Sequence, residues 1–347
     1  MTLARAALSN LRPYLPAPSG ARIDLSDNTN LFGVPPAATA ALAAAAFDLR
    51  RYPQAYSPRL QQALASYARV PEECIVTGCG SDDVLDATFR AFLEPGEVLA
   101  CSDPTFSMIP VFATVQGAEV RTLPFAAGFE LDVEALLATQ AKVTYLCSPN
   151  NPTGTVVSAE AIRQLVDRAR GLVVIDEAYT EFSDVTYAAL ALQRSNVLVT
   201  RTLSKAFGLA GLRVGYAIGA PELIAAVAKA RGPYKIHTLA ETAAAAAVTS
   251  DVSWMRAQAQ EARTVRERLL LSLKTLGLAP LPSQANFVLV PVADATAVSE
   301  ALAQRGIRVR ALPRLTGIGD ALRITCGPWP WMEETLAALD AVLRRAA

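Results

Sequence analysis

Histidine is almost missing from this chain: His237 stands alone among 347 residues. A Ser-His-Asp triad, a Cys-His dyad or a histidine-based metal triad would have to use it, and no nucleophile or ligand motif surrounds it. A lone histidine of this kind reads as structural, and no metal is expected. Cysteine is sparse and scattered. Cys74, Cys79, Cys101, Cys147 and Cys326 form no CxxC pair and are odd in number, which suits small buried hydrophobes in a reducing, cytoplasmic setting better than disulfides or a zinc site. Net charge is absent too, because 32 basic and 32 acidic side chains cancel. No broad field therefore favours nucleic acid or an anionic membrane, although a few local arginines would suffice to hold a short acidic substrate. There is no run of eighteen uncharged apolar residues to span a bilayer. The opening "MTLARAALSNLRPYLPAPSG" is too interrupted for a secretory signal.

What is present is an alternation. Residues 1–33 are rich in Pro, Asn and Gly and read as an irregular arm, and "PAATAALAAAAF" at 36–47 is a strong helix by propensity. Short β-branched runs then alternate with helical patterns: "CIVTG", "EVLACS", "EVRTLPF", "VTYLCS", "LVVIDEAY", "NVLVTRT" and "RVGYAIG". That pattern predicts an α/β domain with a largely parallel sheet. Residues 238–276 are almost continuously helix-forming up to Gly277, Pro280 and Pro282, and the remainder reads as a smaller α+β domain. The length calls for two domains. The expected division is an arm at 1–33, a large domain at 34–235 and a small domain at 236–347 that packs with the arm.

Four motifs carry chemistry. "TGCGSDDVLDATF" is a strand, a glycine turn and a helix whose free N–H groups suit a phosphate; Ser81 and Asp82 are equally ordinary N-caps. "SPNNPTG" turns sharply after a strand, where open α/β sheets bind ligands, and Asn151 reads either as a ligand or as an Asx-turn residue. In "LVVIDEAYTEF", Asp176 ends a buried strand, so its carboxylate needs a cationic or strongly donating partner. Tyr179 can reach the same crevice, while Glu177 and Glu181 read as solvated or helix-capping charges. "RTLSKAFGLAGLR" places Thr202, Ser204, Lys205 and Arg213 after another buried strand. Its apolar neighbours would desolvate Lys205 and free its amine to attack a carbonyl carbon. A buried acid for a pyridinium nitrogen, a lysine for an aldehyde and a phosphate seat together describe the requirements of pyridoxal 5'-phosphate.

The ordered set "RYP", "GSDD", "DPTFSM", "SPNNPTG", "DEAYTEF", "RTLSKAFGLAGLRVGY", "ANFVL" and "LRIT" resembles the fold-type-I pyridoxal-phosphate aminotransferases, most closely the histidinol-phosphate aminotransferases. The resemblance spans nearly the whole chain. It implies a large domain with a mainly parallel seven-stranded sheet flanked by helices, beside a smaller α+β domain. It also implies roles. Lys205 would bond to the cofactor's aldehyde carbon and shuttle the substrate proton, Asp176 would pair with the ring nitrogen, and Asn151 and Tyr179 would reach the ring oxygen. Phe106 would stack on the ring, and the Ser81 and Asp82 backbone amides, Thr202, Ser204 and Arg213 would hold the phosphate. Tyr52 would reach that phosphate from a second subunit, making a homodimer with shared active sites. Arg323 would bind the carboxylate of glutamate and, at the same locus, the substrate phosphate, with Arg310 and Tyr14 as further phosphate contacts and Asn30 near the substrate through its backbone.

Two stretches depart from the family pattern. "DNTNLFG" has Thr29 for an acidic residue and Leu31 for a proline, and "RGPYKIHTLAE" carries Lys235 and His237 where asparagines are common. The expected reaction is amino transfer from L-histidinol phosphate to 2-oxoglutarate in histidine biosynthesis. An aromatic amino-acid aminotransferase and a threonine-phosphate-type decarboxylase are rivals on the same scaffold. A cofactor-binding regulator without turnover would need a DNA-binding module that some thirty Pro-rich residues cannot supply.

Overall fold

The computed structural model describes residues 3–9, 11, 13, 20–48 and 50–346. Its strands are β1 (Ile23–Asp24), β2 (Ile75–Cys79), β3 (Val98–Asp103), β4 (Glu119–Pro124), β5 (Val143–Cys147), β6 (Leu172–Asp176), β7 (Val197–Thr202), β8 (Val214–Gly219), β9 (Phe287–Pro291), β10 (Ile307–Arg308), β11 (Arg310–Leu315) and β12 (Gly319–Thr325). A seven-stranded sheet runs β2-β8-β7-β6-β5-β3-β4. β8 is antiparallel to both neighbours and every other pairing is parallel. The central strands β5, β6 and β7 are buried along their whole length, as strands covered by helices on both faces must be. The expected α/β sheet is present in order and number.

A second sheet, β11-β12-β9, is antiparallel, and β1 pairs in parallel with β10. The N-terminal segment is thereby stitched to the smaller unit, where Ile23 and Leu25 join a cluster with Val288, Val290, Leu322 and Ile324.

The helical stretch 238–276 is two helices, Thr238–Ser250 and Val252–Thr275, broken at Asp251. The break has a use: the buried Asp251 carboxylate accepts from the Ala37 and Ala38 N–H groups, capping the helix Pro36–Ala44 from 213 and 214 residues away in sequence. That helix stops three residues short of its predicted end, Ala45 being extended. His237 is the N-cap of Thr238–Ser250, its Nδ1 accepting from Ala240 N at 3.1 Å, so the lone histidine is structural.

The expected boundary at 235/236 falls elsewhere by packing. Ala240, Ala243, Ala244 and Ala247, together with Met255, Ala259 and Ala262, belong to the apolar cluster of the large sheet. Val265, Leu269 and Leu273 belong to the cluster of the smaller one. The long helix passes from one core to the other between 262 and 265. The physical reason is the alanine stripe, whose small side chains let the helix lie close against its neighbours in the large core. Among the described residues no helix is long and apolar enough to cross a membrane.

Candidate active site

The carboxyl ends of β5, β6 and β7 converge on one crevice, the usual ligand position in an open α/β sheet. Asp176 ends β6 and is 3% exposed. Its Oδ2 accepts from the Tyr145 hydroxyl at 2.8 Å, and its Oδ1 accepts from Thr200 Oγ1 at 3.1 Å and from Ala178 N at 3.2 Å. Burial pushes its pKa up to about 6 against the pull of these donors, with the Asp82 charge adding to the rise. The donors soften the cost of a buried carboxylate without supplying a positive charge. A cation placed against this carboxylate is what the site still favours.

Tyr145 and Thr200 did not emerge from the sequence reading. Both were legible from register: Thr200 is the β7 partner of Asp176, and Cys147, on the same face as Tyr145, is its β5 partner.

Lys205 lies in the loop between β7 and β8, with Leu203, Ala206, Phe207 and Leu209 buried around it. Its Nζ donates to the Asp27 carbonyl at 3.0 Å and lies 5.9 Å from the Tyr179 ring centroid. Desolvation, helped by the Arg323 charge and opposed by Asp27 and Asp82, lowers its pKa to about 8. At pH 7.5 roughly a quarter of such amines are neutral, against about 0.1% for an ordinary lysine. Tyr179 is buried, and its hydroxyl accepts from Asn28 Nδ2 at 3.0 Å.

Beside the lysine is a cradle. The helix Gly80–Phe92 begins without a side-chain cap from Cys79. Ser81 and Asp82 lie in its first turn, so the N-cap reading does not apply to them. Arg213, in the left-handed region at φ 54°, approaches Ser204 Oγ at 3.5 Å and Asp82 Oδ2 at 3.4 Å. Thr202 Oγ1 accepts from Ser204 N at 3.1 Å. Two glycines keep the cradle open. A Cβ on Gly80 would stand 2.5 Å from Arg213 Nη2, and one on Gly215 would stand 2.2 Å from Ser81 N. An uncapped helix start, two hydroxyls and a guanidinium suit a phosphate. A pyridinium against Asp176 and an aldehyde at Lys205 complete the description, so the residues present fit a phosphorylated pyridine aldehyde.

A strap, residues 26–30, closes the other wall. Ser26 O accepts from Arg323 Nη2 at 2.7 Å, and Asp27 O takes the lysine. Asn28, left-handed at φ 54°, exchanges hydrogen bonds with Thr325, and its carbonyl accepts from Asn286. Asn30 Nδ2 donates to Ala206 O at 2.8 Å, so its amide is spent on the lysine loop. Arg323 is 8% exposed and its Nη1 donates to Asn151 Oδ1 at 2.6 Å. Arg310 is its register partner across β11 and β12 and forms an ion pair with Asp27.

Phe106 follows β3 at the start of the next helix and is half-buried, with the preceding Thr105 donating to Asn150 Oδ1 at 2.8 Å. Tyr52 is 82% exposed and stacks on Tyr234 with ring centroids 5.0 Å apart. Tyr14 lies outside the described residues. Glu177 and Glu181 are not solvated charges. Glu177 is 1% exposed and pairs with the buried Arg201 at 2.8 Å, and Glu181 accepts from Tyr67 Oη at 3.3 Å. Sequence distance hides the first pair, since its members are 24 residues apart on β7 and the turn after β6. Lys235 pairs with Asp83 at 2.6 Å, beside the cradle helix.

The family model described as Aminotransferase class I and II matches residues 21–342. A histidinol-phosphate aminotransferase of Symbiobacterium thermophilum is 35% identical over 361 residues, covering 99% of each chain. One of Roseiflexus castenholzii is 38% identical, covering 98% of this chain and 94% of its own. Among solved structures, the histidinol-phosphate aminotransferase of Sinorhizobium meliloti in complex with pyridoxal-5'-phosphate superposes with a TM-score of 0.91 at 27% identity, over 100% of this chain and 99% of that one.

Proposed function

The chain belongs to the class I and II aminotransferase family, and from that premise we propose that it transfers the amino group of L-histidinol phosphate to 2-oxoglutarate, with pyridoxal 5'-phosphate as cofactor, in histidine biosynthesis. The observation that carries the reading is Lys205, whose Nζ donates to the Asp27 carbonyl at 3.0 Å within the field of Arg323 on one side and of Arg213 and Asp82 of the cradle on the other. Pyridoxal phosphate, when bound, supplies an aldehyde for the donor's amino group and a protonated ring that draws off the electron pair released at Cα.

The chain's own residues do the rest. Asp176 holds the proton on the pyridine nitrogen, the cation its buried carboxylate favours. Tyr145 and Thr200 orient that carboxylate through their hydrogen bonds. The Ser81 and Asp82 backbone amides, Thr202, Ser204 and Arg213 hold the phosphate, Asn151 and Tyr179 face the ring oxygen, and Phe106 covers the ring. Lys205, in its neutral fraction, takes the proton from the donor's Cα as general base. Arg323 presents a planar fork to a carboxylate. Arg310, with Tyr14, serves the donor's far end, and Asn30 contributes through its backbone. Tyr52, solvent-facing here, acts in a homodimer by reaching the neighbouring copy's phosphate, and the enzyme works in the cytoplasm.

The test compares kcat/KM for histidinol phosphate, phenylalanine, tyrosine and threonine phosphate with 2-oxoglutarate as acceptor, while carbon dioxide release is followed. The reading expects histidinol phosphate to lead and no carbon dioxide to form. A preference for an aromatic amino acid would move the donor, in keeping with Thr29 and Leu31, and carbon dioxide from threonine phosphate would move the reaction.

A further inference from the structure

Arg310 and Arg323 are directly opposed across antiparallel strands, an arrangement in which like charges repel. Arg323 donates to two neutral oxygens, Ser26 O and Asn151 Oδ1, whereas Arg310 meets a carboxylate, that of Asp27. The same residue's carbonyl holds Lys205 Nζ. Asp27 thus brings negative charge to a corner built of cations, and it does so from the solvent side: its side chain is 58% exposed and that of Arg310 is 21% exposed.

The strap's backbone is pinned on both sides of this carboxylate, at Ser26 by Arg323 and at Asn28 by Thr325 and Asn286. The Asp27 side chain can therefore swing to solvent while its backbone stays in place.

We propose that Asp27 is a specificity residue, an internal anion that occupies the Arg310 guanidinium and competes with the anionic end of the substrate for it. The site then holds an anionic donor less tightly than its arginines alone would, and binding requires the carboxylate to be displaced. An exposed ion pair of this kind is weak enough to exchange. That the displaced rival is a donor phosphate rests on the function proposed above.

The experiment uses the holoenzyme with inorganic phosphate as the probe, its dissociation constant read by calorimetry without turnover. Asp27→Asn and Asp27→Ser should each tighten phosphate by about three- to fivefold, and KM for an anionic donor should fall in parallel while kcat does not rise. Asp27→Glu, which keeps a carboxylate, should stay within about twofold of the parent. In an Arg310→Gln background the gain from Asp27→Asn should vanish. An unchanged or weaker phosphate constant in both neutral variants, or an equal gain without Arg310, overturns the proposal. A holoenzyme that ignores histidinol phosphate yet shows the Arg310-dependent gain supports the role of Asp27 and overturns the donor instead.

Discussion

The cradle beside Lys205 depends on the absence of one methyl group. Gly215 lies on β8 opposite Gly78 of β2, and a Cβ there would sit 2.2 Å from Ser81 N, 2.4 Å from Gly80 C and 2.7 Å from Ser81 Cα. All three are backbone atoms at the start of the cradle helix, so no side chain can rotate away. Relief requires β8 and the helix start to part by about 1 Å, which is the scale of overpacking that costs about 1–3 kcal/mol. The same displacement withdraws the first-turn N–H groups from a phosphate, and losing one hydrogen bond to a charged group costs about 1.5–3 kcal/mol, roughly ten- to a hundredfold in affinity. Gly215→Ala should therefore lower the melting temperature of the cofactor-free protein by roughly 1–4 °C and weaken pyridoxal phosphate by about ten- to a hundredfold. The assay is a visible-absorbance titration with the cofactor beside a thermal scan. Gly211→Ala is the matched control, because a Cβ at Gly211 meets nothing within 4 Å, and it should be neutral in both measurements. Cofactor affinity within twofold of the parent in Gly215→Ala would refute the close-approach reasoning.

Three further outcomes follow from the buried groups. Lys205→Ala should remove both turnover and the cofactor adduct that borohydride fixes, and full activity in that variant would sink the assignment. Asp176 has its folded pKa raised to about 6 by burial, so the folded state binds the proton more tightly and stability falls as pH rises from about 4 through 6. In the cofactor-free protein Asp176→Asn should consequently be more stable than the parent at pH 7.5, by about 2–3 kcal/mol, with the gap closing toward pH 4; denaturant midpoints across that range provide the check. Glu177→Gln leaves the buried Arg201 without its ion-pair partner and should cost about 3–5 kcal/mol in a chemical denaturation series.

Much of the site was legible because its chemistry is local in sequence. Lys205, Ser204, Thr202 and Arg213 share one loop and its flanking strands, and Asp176 announces itself as a charge at the end of an apolar run. What escaped was what folding assembles across distance. The groups that orient Asp176 come from neighbouring strands, and only the register identifies them. Asn28 gains its role through a left-handed turn and through Thr325, 297 residues away. Glu177 looked like a surface charge because its guanidinium partner lies on another strand. The fold was similarly readable as alternating strands and helices, yet the break at Asp251 was not, since helix propensity cannot report that a carboxylate is needed to cap a helix more than two hundred residues earlier. The packing boundary inside helix Val252–Thr275 escaped for the same reason: one amphipathic pattern serves two cores.

The central claim is that Lys205 and its surroundings take an amino group from histidinol phosphate. The most direct measurement is a single half-turnover, mixing the holoenzyme with histidinol phosphate in a stopped-flow spectrometer without any acceptor. The account predicts stoichiometric conversion of the cofactor from its aldehyde to its amine form, faster than with phenylalanine, tyrosine or threonine phosphate. Faster conversion by any of those three, or no conversion by histidinol phosphate, would contradict it.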